Sequence, residues 1–187
     1  MALLHKATLT PSKPELMNAW LTARPWLPSP GEARPVAAYR FDDPDGEVGV
    51  ETILWSLDDG SVIQTPLTYR AAPLDGAEAS LVGTTEHSVL GSRWVYDGCG
   101  DPVWAATLAT AILTGGSQAQ MVIEHDGQLV DVPARMQVRG SGAAPFGHSL
   151  TPVESVTTEG DVTVVRSEAS SCGCPASWAP PSPATRP

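Results

Sequence analysis

The sequence predicts an α+β protein in which an antiparallel sheet wraps around one or two helices. Three β-segments at residues 35–42, 47–57 and 62–70 are separated by the turn-forming sequences DPDG and DDGS, which is typical of an antiparallel meander. Two apolar segments with capping residues predict the helices. A chain of 187 residues is long enough to bury a core without a metal ion or disulfides.

The first helix is predicted by a capping box. Ser12 and Glu15 have the S-x-x-E spacing in which the hydroxyl and the carboxylate each bind an orphan backbone N–H. The helix should run to about Ala23, and the proline-rich residues 24–35 should form a loop. The apolar-rich first ten residues predict a strand.

The second helix is predicted at about residues 101–115. Asp101 can act as N-cap, Pro102 has the φ angle that the first helical position requires, and Gly115 can end the helix in a left-handed conformation.

The other segments are predominantly β. Pro66 lacks an N–H group, so its strand should lie at an edge or be bulged there. Further strands are predicted at 81–84, 93–97, 120–125, 128–138, 155–159 and 161–168, with a flexible loop at 140–149.

The chain is predicted to divide into three regions. Residues 1–85 form an α+β region, and residues 86–168 form a second β-rich region with one helix, packed on the first. Residues 169–187 are rich in Pro, Ser and Ala and bury too little surface to offset their ordering entropy, which predicts a disordered tail.

Composition disfavours several classes of partner. The net charge of −10 disfavours nucleic acids and anionic membrane surfaces. The sequence has no secretory signal and no apolar run of about 20 residues, so we expect a cytoplasmic protein. Three cysteines, Cys99, Cys172 and Cys174, do not indicate a disulfide framework.

The stretch TTEHSVLGSRWVYDGCGDP (84–102) holds a candidate acid–base pair, Glu86 and His87. Adjacent residues on a strand point to opposite faces, so they cannot serve each other directly. The alternative is structural: Glu86 would pair with Arg93, and His87 would hydrogen-bond the backbone of a turn. We favour the structural interpretation.

The sequence predicts no metal or nucleotide cofactor. The four histidines have no zinc-binding spacing, and Cys172-Gly173-Cys174 is C-x-C instead of C-x-x-C. The phosphate-binding glycine motifs are also absent. The six tryptophans are expected mainly in the core, with Trp26 in its proline-rich loop as the one most exposed and a possible ligand contact.

Two parts of the sequence resemble bacterial maltokinases. HKATLTPSKPELMNAWLTARPW, with AYRFDDPDGEVGVETILW, resembles their N-terminal cap. LVGTTEHSVLGSRWVYDGCGDPVWAATLATAILTGG resembles the segment that follows the cap, and the likeness covers about residues 1–116. The resemblance implies a cystatin-like cap, with a curved antiparallel sheet around a helix. The matching motif residues, whose role in the family is not assigned, are Glu86, His87, Ser88, Arg93, Tyr96 and Asp97.

Maltokinases transfer phosphate from ATP to maltose, using a catalytic loop and a magnesium site in a C-terminal kinase lobe. The H-G-D motif of that lobe is absent from this sequence, so no catalytic residue is carried over. The resemblance therefore implies a non-catalytic, stand-alone cap that binds or regulates a kinase lobe or another trehalose or glucan enzyme. Two alternatives remain open: a subunit of a split sugar kinase, and a sugar or small-molecule binder that uses exposed tryptophans.

Overall fold

The structure is a computed structural model that describes residues 1–27, 31–144, 150–159 and 162–169. These residues form two α-helices and eleven strands. The helices are α1 (Lys13–Leu21) and α2 (Pro102–Thr114). The strands are β1 (Ala2–Leu4), β2 (Leu9–Thr10), β3 (Arg34–Phe41), β4 (Gly49–Ser56), β5 (Val62–Arg70), β6 (Leu81–His87), β7 (Gly91–Asp97), β8 (Met121–His125), β9 (Gln128–Val132), β10 (Leu150–Glu159) and β11 (Val162–Ala169).

Six of these strands form one antiparallel sheet in the order β2-β6-β7-β5-β4-β3. The predicted meander is confirmed as β3, β4 and β5. Strand β7 pairs with β5 from Leu67 to Arg70, so Pro66 lies just beyond the paired part of β5 on that side. Strand β5 lies between β7 and β4 and has no bulge at Pro66, so the predicted edge or bulge is wrong; proline is tolerated because no β7 residue pairs with it.

Helix α1 packs on one face of this sheet. Its N-terminus is the predicted capping box: Ser12 N donates to Glu15 Oε2 at 2.8 Å, and Glu15 N donates to Ser12 Oγ at 3.4 Å. Its buried face joins the sheet in one apolar core. That core consists of Met17, Trp20, Leu21, Ala33, Ile53, Trp55, Leu57, Leu67 and Val95. The α+β prediction, a curved antiparallel sheet packed around a helix, is therefore confirmed.

Helix α2 belongs to a second core on the opposite face of the sheet. Val50 and Ile53 of β4 are three residues apart and so point to opposite faces. Val50 packs with Val48, Cys99 and Trp104, and Trp104 is a residue of α2. The helix has the predicted caps, with Asp101 accepting from Val103 N and Gly115 in the left-handed conformation.

The predicted division between residues 85 and 86 falls inside β6, and the six-stranded sheet continues across it. The strands around the family motif are longer than predicted. They extend to His87 and resume at Gly91, which leaves a three-residue turn at residues 88–90.

A second, three-stranded sheet has the order β1-β8-β9. The strand predicted for the first ten residues is split, because β1 pairs with β8 in this sheet while β2 pairs with β6 in the other. Strand β9 ends before Pro133, earlier than predicted, because proline cannot donate to the ladder. The hairpin of β10 and β11 confirms the last predicted pair, with β10 beginning five residues earlier than expected.

Residues 140–144 are docked on the end of α2, so the flexible loop predicted there is wrong for this part. Gly142 N donates to Ile112 O, and Ala144 N donates to Leu113 O, both at 2.8 Å. These bonds satisfy carbonyl groups that a helix end otherwise leaves free. Residues 145–149 of the predicted loop and residues 170–187 of the predicted tail lie outside the described residues.

Gly142→Ala tests this docking. A Cβ atom at Gly142 would lie 2.0 Å from Leu113 O, a backbone atom that cannot move aside independently. We expect the free energy of unfolding to fall by about 1–3 kcal/mol, as in other overpacked sites. Urea denaturation would measure it, with the exposed neighbour Ser141→Ala as control. Equal stability of the two variants would show that this segment is not docked.

Candidate functional site

The family motif forms the hairpin of β6 and β7. His87 Nδ1 accepts hydrogen bonds from Val89 N at 3.2 Å and Leu90 N at 3.1 Å. Ser88 N donates to Thr8 O, and Gly91 completes the turn at φ +74°. The ring of His87 thus holds the backbone of the turn, as predicted. Because Nδ1 accepts these bonds, the neutral ring carries its proton on Nε2.

The predicted pairing of Glu86 with Arg93 is wrong. Glu86 Oε1 accepts from Ser92 Oγ at 2.6 Å, and Arg93 Nη1 donates to Ser92 O at 3.0 Å. The register explains the difference: Glu86 is opposite Ser92, and Arg93 is opposite Thr85. Since successive residues of a strand face opposite sides and Arg93 follows Ser92, Glu86 and Arg93 point away from each other. Within the described residues, the guanidinium of Arg93 forms no ion pair.

Tyr96 and Asp97 fix the chain segments beside β7. The buried hydroxyl of Tyr96 accepts from Leu74 N at 2.8 Å and so anchors the loop after β5. Asp97 accepts from Cys99 N at 3.0 Å and caps the short 3-10 helix Gly98–Gly100. Burial raises the pKa of Asp97 above its usual value.

Basic groups gather on the α1 face beside the motif. The rings of His5 and His87 meet edge to face, with centroids 5.8 Å apart. Partial burial lowers the pKa of His87, and the nearby His5, Arg93 and Lys13 lower it further. The neutral His87 ring is also the form that can accept the two turn hydrogen bonds.

Glu51 is the most deeply placed carboxylate on this face, and sequence analysis missed it. It receives ion pairs from Lys13 and Arg40 and a 2.7 Å hydrogen bond from Tyr69 OH. Burial acts to raise the pKa of Glu51, but the two cations and the hydrogen bonds outweigh it and lower the pKa from 4.5 to about 2. A carboxylate that is ionised and saturated in this way is poorly suited to proton transfer near neutral pH. The one available signal was a glutamate inside the apolar strand VGVETILW.

Asp101 is buried on the other face and joins the sheet to α2. Both of its oxygens accept from Arg70, through Nε and Nη2, at 2.7 Å. Thr68 Oγ1 also donates at 2.7 Å, and Val103 N at 2.9 Å. Burial opposes ionisation, but these donors hold the pKa of Asp101 below its usual value. The sequence indicated the helix cap and not the bidentate ion pair.

The tryptophans lie mainly in the two cores, as expected. Trp20, Trp55 and Trp104 are buried. Trp26 is half-buried and packs against the α1 core, and its role as a ligand contact stays a prediction.

A cleft of about 280 Å³ lies between β10 and the two 3-10 helices, Glu78–Ser80 and Gly98–Gly100. Small residues line most of it, and its lining contains no aromatic ring. Its one lining carboxylate is Glu154.

The described part of the chain brings no three His, Cys, Asp or Glu side chains together in a group that could hold a metal ion. Cys99 is buried with a free thiol, and Cys172 and Cys174 lie outside the described residues. Neither described helix is long and apolar enough to cross a membrane.

Part of the chain is similar to a known protein family. Residues 20–101 match the model of the maltokinase N-terminal cap domain. The matched segment begins in the last turn of α1, contains β3 to β7, and ends at the N-cap of α2. A search of curated proteins found no match. Residues 20–101 are therefore similar to the maltokinase N-terminal cap domain.

Proposed function

We propose that the protein is a non-catalytic, stand-alone binding or regulatory module of maltose, trehalose or glucan metabolism. One observation carries the proposal: the carboxylates at the core of residues 20–101 stabilise the fold of this segment. Glu51 and Asp101 are held ionised by cations, and Asp97 caps a 3-10 helix. None of the three is free to activate a sugar hydroxyl.

The structure gives less support to direct sugar binding. Sugar sites that stack aromatic rings need those rings exposed, whereas three tryptophans are buried and Trp26 packs against the core. The cleft beside β10 also lacks an aromatic ring. We therefore favour a protein as the partner, and a sugar-kinase lobe or another glucan or trehalose enzyme is the class that the family match favours. The proposed location is the cytoplasm, where the cysteines would stay reduced.

The protein alone is expected to transfer no phosphate from ATP to maltose or glucosamine. Release of ADP and formation of the sugar phosphate would be measured with magnesium present, alongside an intact maltokinase as positive control. Turnover that rises in proportion to the concentration of this protein would contradict the proposal.

The same assay separates the regulatory module from the split kinase. A maltokinase from which its own cap has been removed would be titrated with this protein, and binding followed by calorimetry. A regulatory module binds and changes an activity that the lobe already has. If the lobe is inactive alone and gains activity only in the mixture, the split-kinase alternative is correct. If neither this lobe nor intact trehalose and glucan enzymes bind, the binding-module proposal fails.

A further inference from the structure

The turn between β6 and β7 carries two apolar side chains that are exposed to solvent. Val89 and Leu90 are 56% and 43% exposed. Turns of this kind usually carry Gly, Asn, Asp or Ser, because those residues fit the backbone and remain solvated. We name residues His87–Gly91 the tip.

The tip is held in one conformation. His87 accepts from the backbone N–H groups of both Val89 and Leu90, so their backbone is fixed at the end of the hairpin. Thr8 and Ser88 bind each other through Thr8 N to Ser88 Oγ at 3.0 Å and Ser88 N to Thr8 O. A contact surface that is ordered in advance loses less entropy on binding.

Basic side chains border the tip on its His87 face, in a chain whose net charge is −10, while the exposed carboxylate of Glu86 lies on the opposite face of the hairpin. His5 lies against His87, the exposed Lys6 follows it, and Arg93 lies on the same face as His87. Lys6 and Arg93 form no ion pair within the described residues. The complementary surface is therefore an apolar area bordered by carboxylates.

The three-stranded sheet carries such a surface. Leu3 and Leu129 are 40% and 56% exposed. The register places Leu3 beside Val122 and Asp131, and Glu124 beside Leu129, so these side chains share one face; Val122 at its centre is buried, and the four side chains around it are exposed. We name this face, with Leu3, Glu124, Leu129 and Asp131, the acidic sheet face.

The tip and the acidic sheet face are neighbours on the molecule. Only residues 5–8 separate β1 from β2, and four extended residues span at most about 14 Å. In a two-fold dimer the tip of each copy meets the acidic sheet face of the other, so both contacts form together. We propose that the protein self-associates through this two-fold, charge-complementary interface, whether or not it also binds the partner proposed above.

A second copy fits the observations better than a membrane does. Two apolar side chains provide little insertion energy, and a net charge of −10 repels an anionic bilayer. The second copy supplies both the apolar area and the carboxylates, at residues already identified on this chain.

The test is sedimentation of the full chain over a concentration series. We expect a monomer–dimer equilibrium that weakens between about 0.01 M and about 1 M salt, because the screening length falls from about 30 Å to about 3 Å. Leu90→Ser should lower the association constant about tenfold or more, because it removes an anchor from both copies.

Charge reversal gives the sharper result. Lys6→Glu and Glu124→Lys change exposed side chains, so each variant should fold and yet dimerise poorly. Mixed in equal amounts, the two variants should form a heterodimer. In one contact Lys6 of the second variant meets Glu124 of the first, as in the wild type. In the other contact both charges are reversed, so they still attract. Glu47→Lys, an exposed reversal in the turn between β3 and β4, is the control and should dimerise like the wild type.

Three outcomes would overturn the dimer. The first is a wild-type monomer at every concentration and salt. The second is a dimer that Lys6→Glu, Glu124→Lys and Leu90→Ser leave unchanged. The third is a monomer that instead binds vesicles of phosphatidylcholine and phosphatidylserine through the tip.

Discussion

Asp101→Ala is expected to lower the free energy of unfolding by about 3–5 kcal/mol, the range for removal of one partner from a buried ion pair. Asp101 is fully buried, and the substitution leaves Arg70, Thr68 and the N–H of Val103 without their acceptor. It also removes the N-cap of α2, which alone contributes about 1 kcal/mol. Urea denaturation followed by circular dichroism would measure the loss.

A double-mutant cycle separates the ion pair from the cap. Asp101→Asn retains an acceptor for Val103 N and removes the charge, and Arg70→Met removes the guanidinium while keeping an apolar stem. If the ion pair dominates, Arg70→Met should offset part of the loss caused by Asp101→Asn. Additive losses would show that Asp101 acts through its cap alone.

Glu51→Gln should produce the second largest loss, about 3 kcal/mol at pH 7. This figure follows from the lowering of the pKa of Glu51 from 4.5 to about 2, at about 1.4 kcal/mol for each pH unit. The folded-state pKa is the lower one, so this stabilisation is complete above about pH 4.5 and is lost as the pH falls through about 2.

The pH dependence therefore identifies the cause. The stability gap between wild type and Glu51→Gln should be constant above about pH 5 and close as the pH approaches 2. Glu47→Gln, at an exposed position in a turn, should match the wild type throughout. A gap that does not change with pH would mean that Glu51 stabilises the fold by shape and hydrogen bonding instead of charge.

Local signals made both helices predictable. Ser12 and Glu15 interact within one helical turn, and Asp101, Pro102 and Gly115 mark the ends of α2 through their own backbone preferences. The same holds for the three-stranded meander, because its turns lie in the sequence between the strands that they join.

Contacts between distant residues were not predictable in this way. Nothing near residues 140–144 shows that their N–H groups meet the carbonyls of α2. The pairing of Glu86 with Arg93 failed because it assumed a longer turn, and a change of register moves a side chain to the other face.

In the candidate site, too, local contacts were predictable and contacts between distant residues were not. His87 acts on residues two and three positions away, and its role was foreseen. Glu51 depends on Lys13, Arg40 and Tyr69, which come from three different elements. Only the folded sheet shows that its charge is neutralised.

The pairing of the first two strands has a consequence for the order of folding. Strand β2 pairs with β6, and β1 pairs with β8. These two strands therefore cannot pair until residues about 75 to 120 positions later in the chain have been synthesised. At a synthesis rate of about 5–20 residues per second, the wait lasts on the order of 4–24 s on the ribosome. The meander of β3, β4 and β5 can form during that time from local contacts, which close fastest. Residues 2–10 are thus made first and join the sheets last, and until then the edge of β6 that they cover is open to other chains.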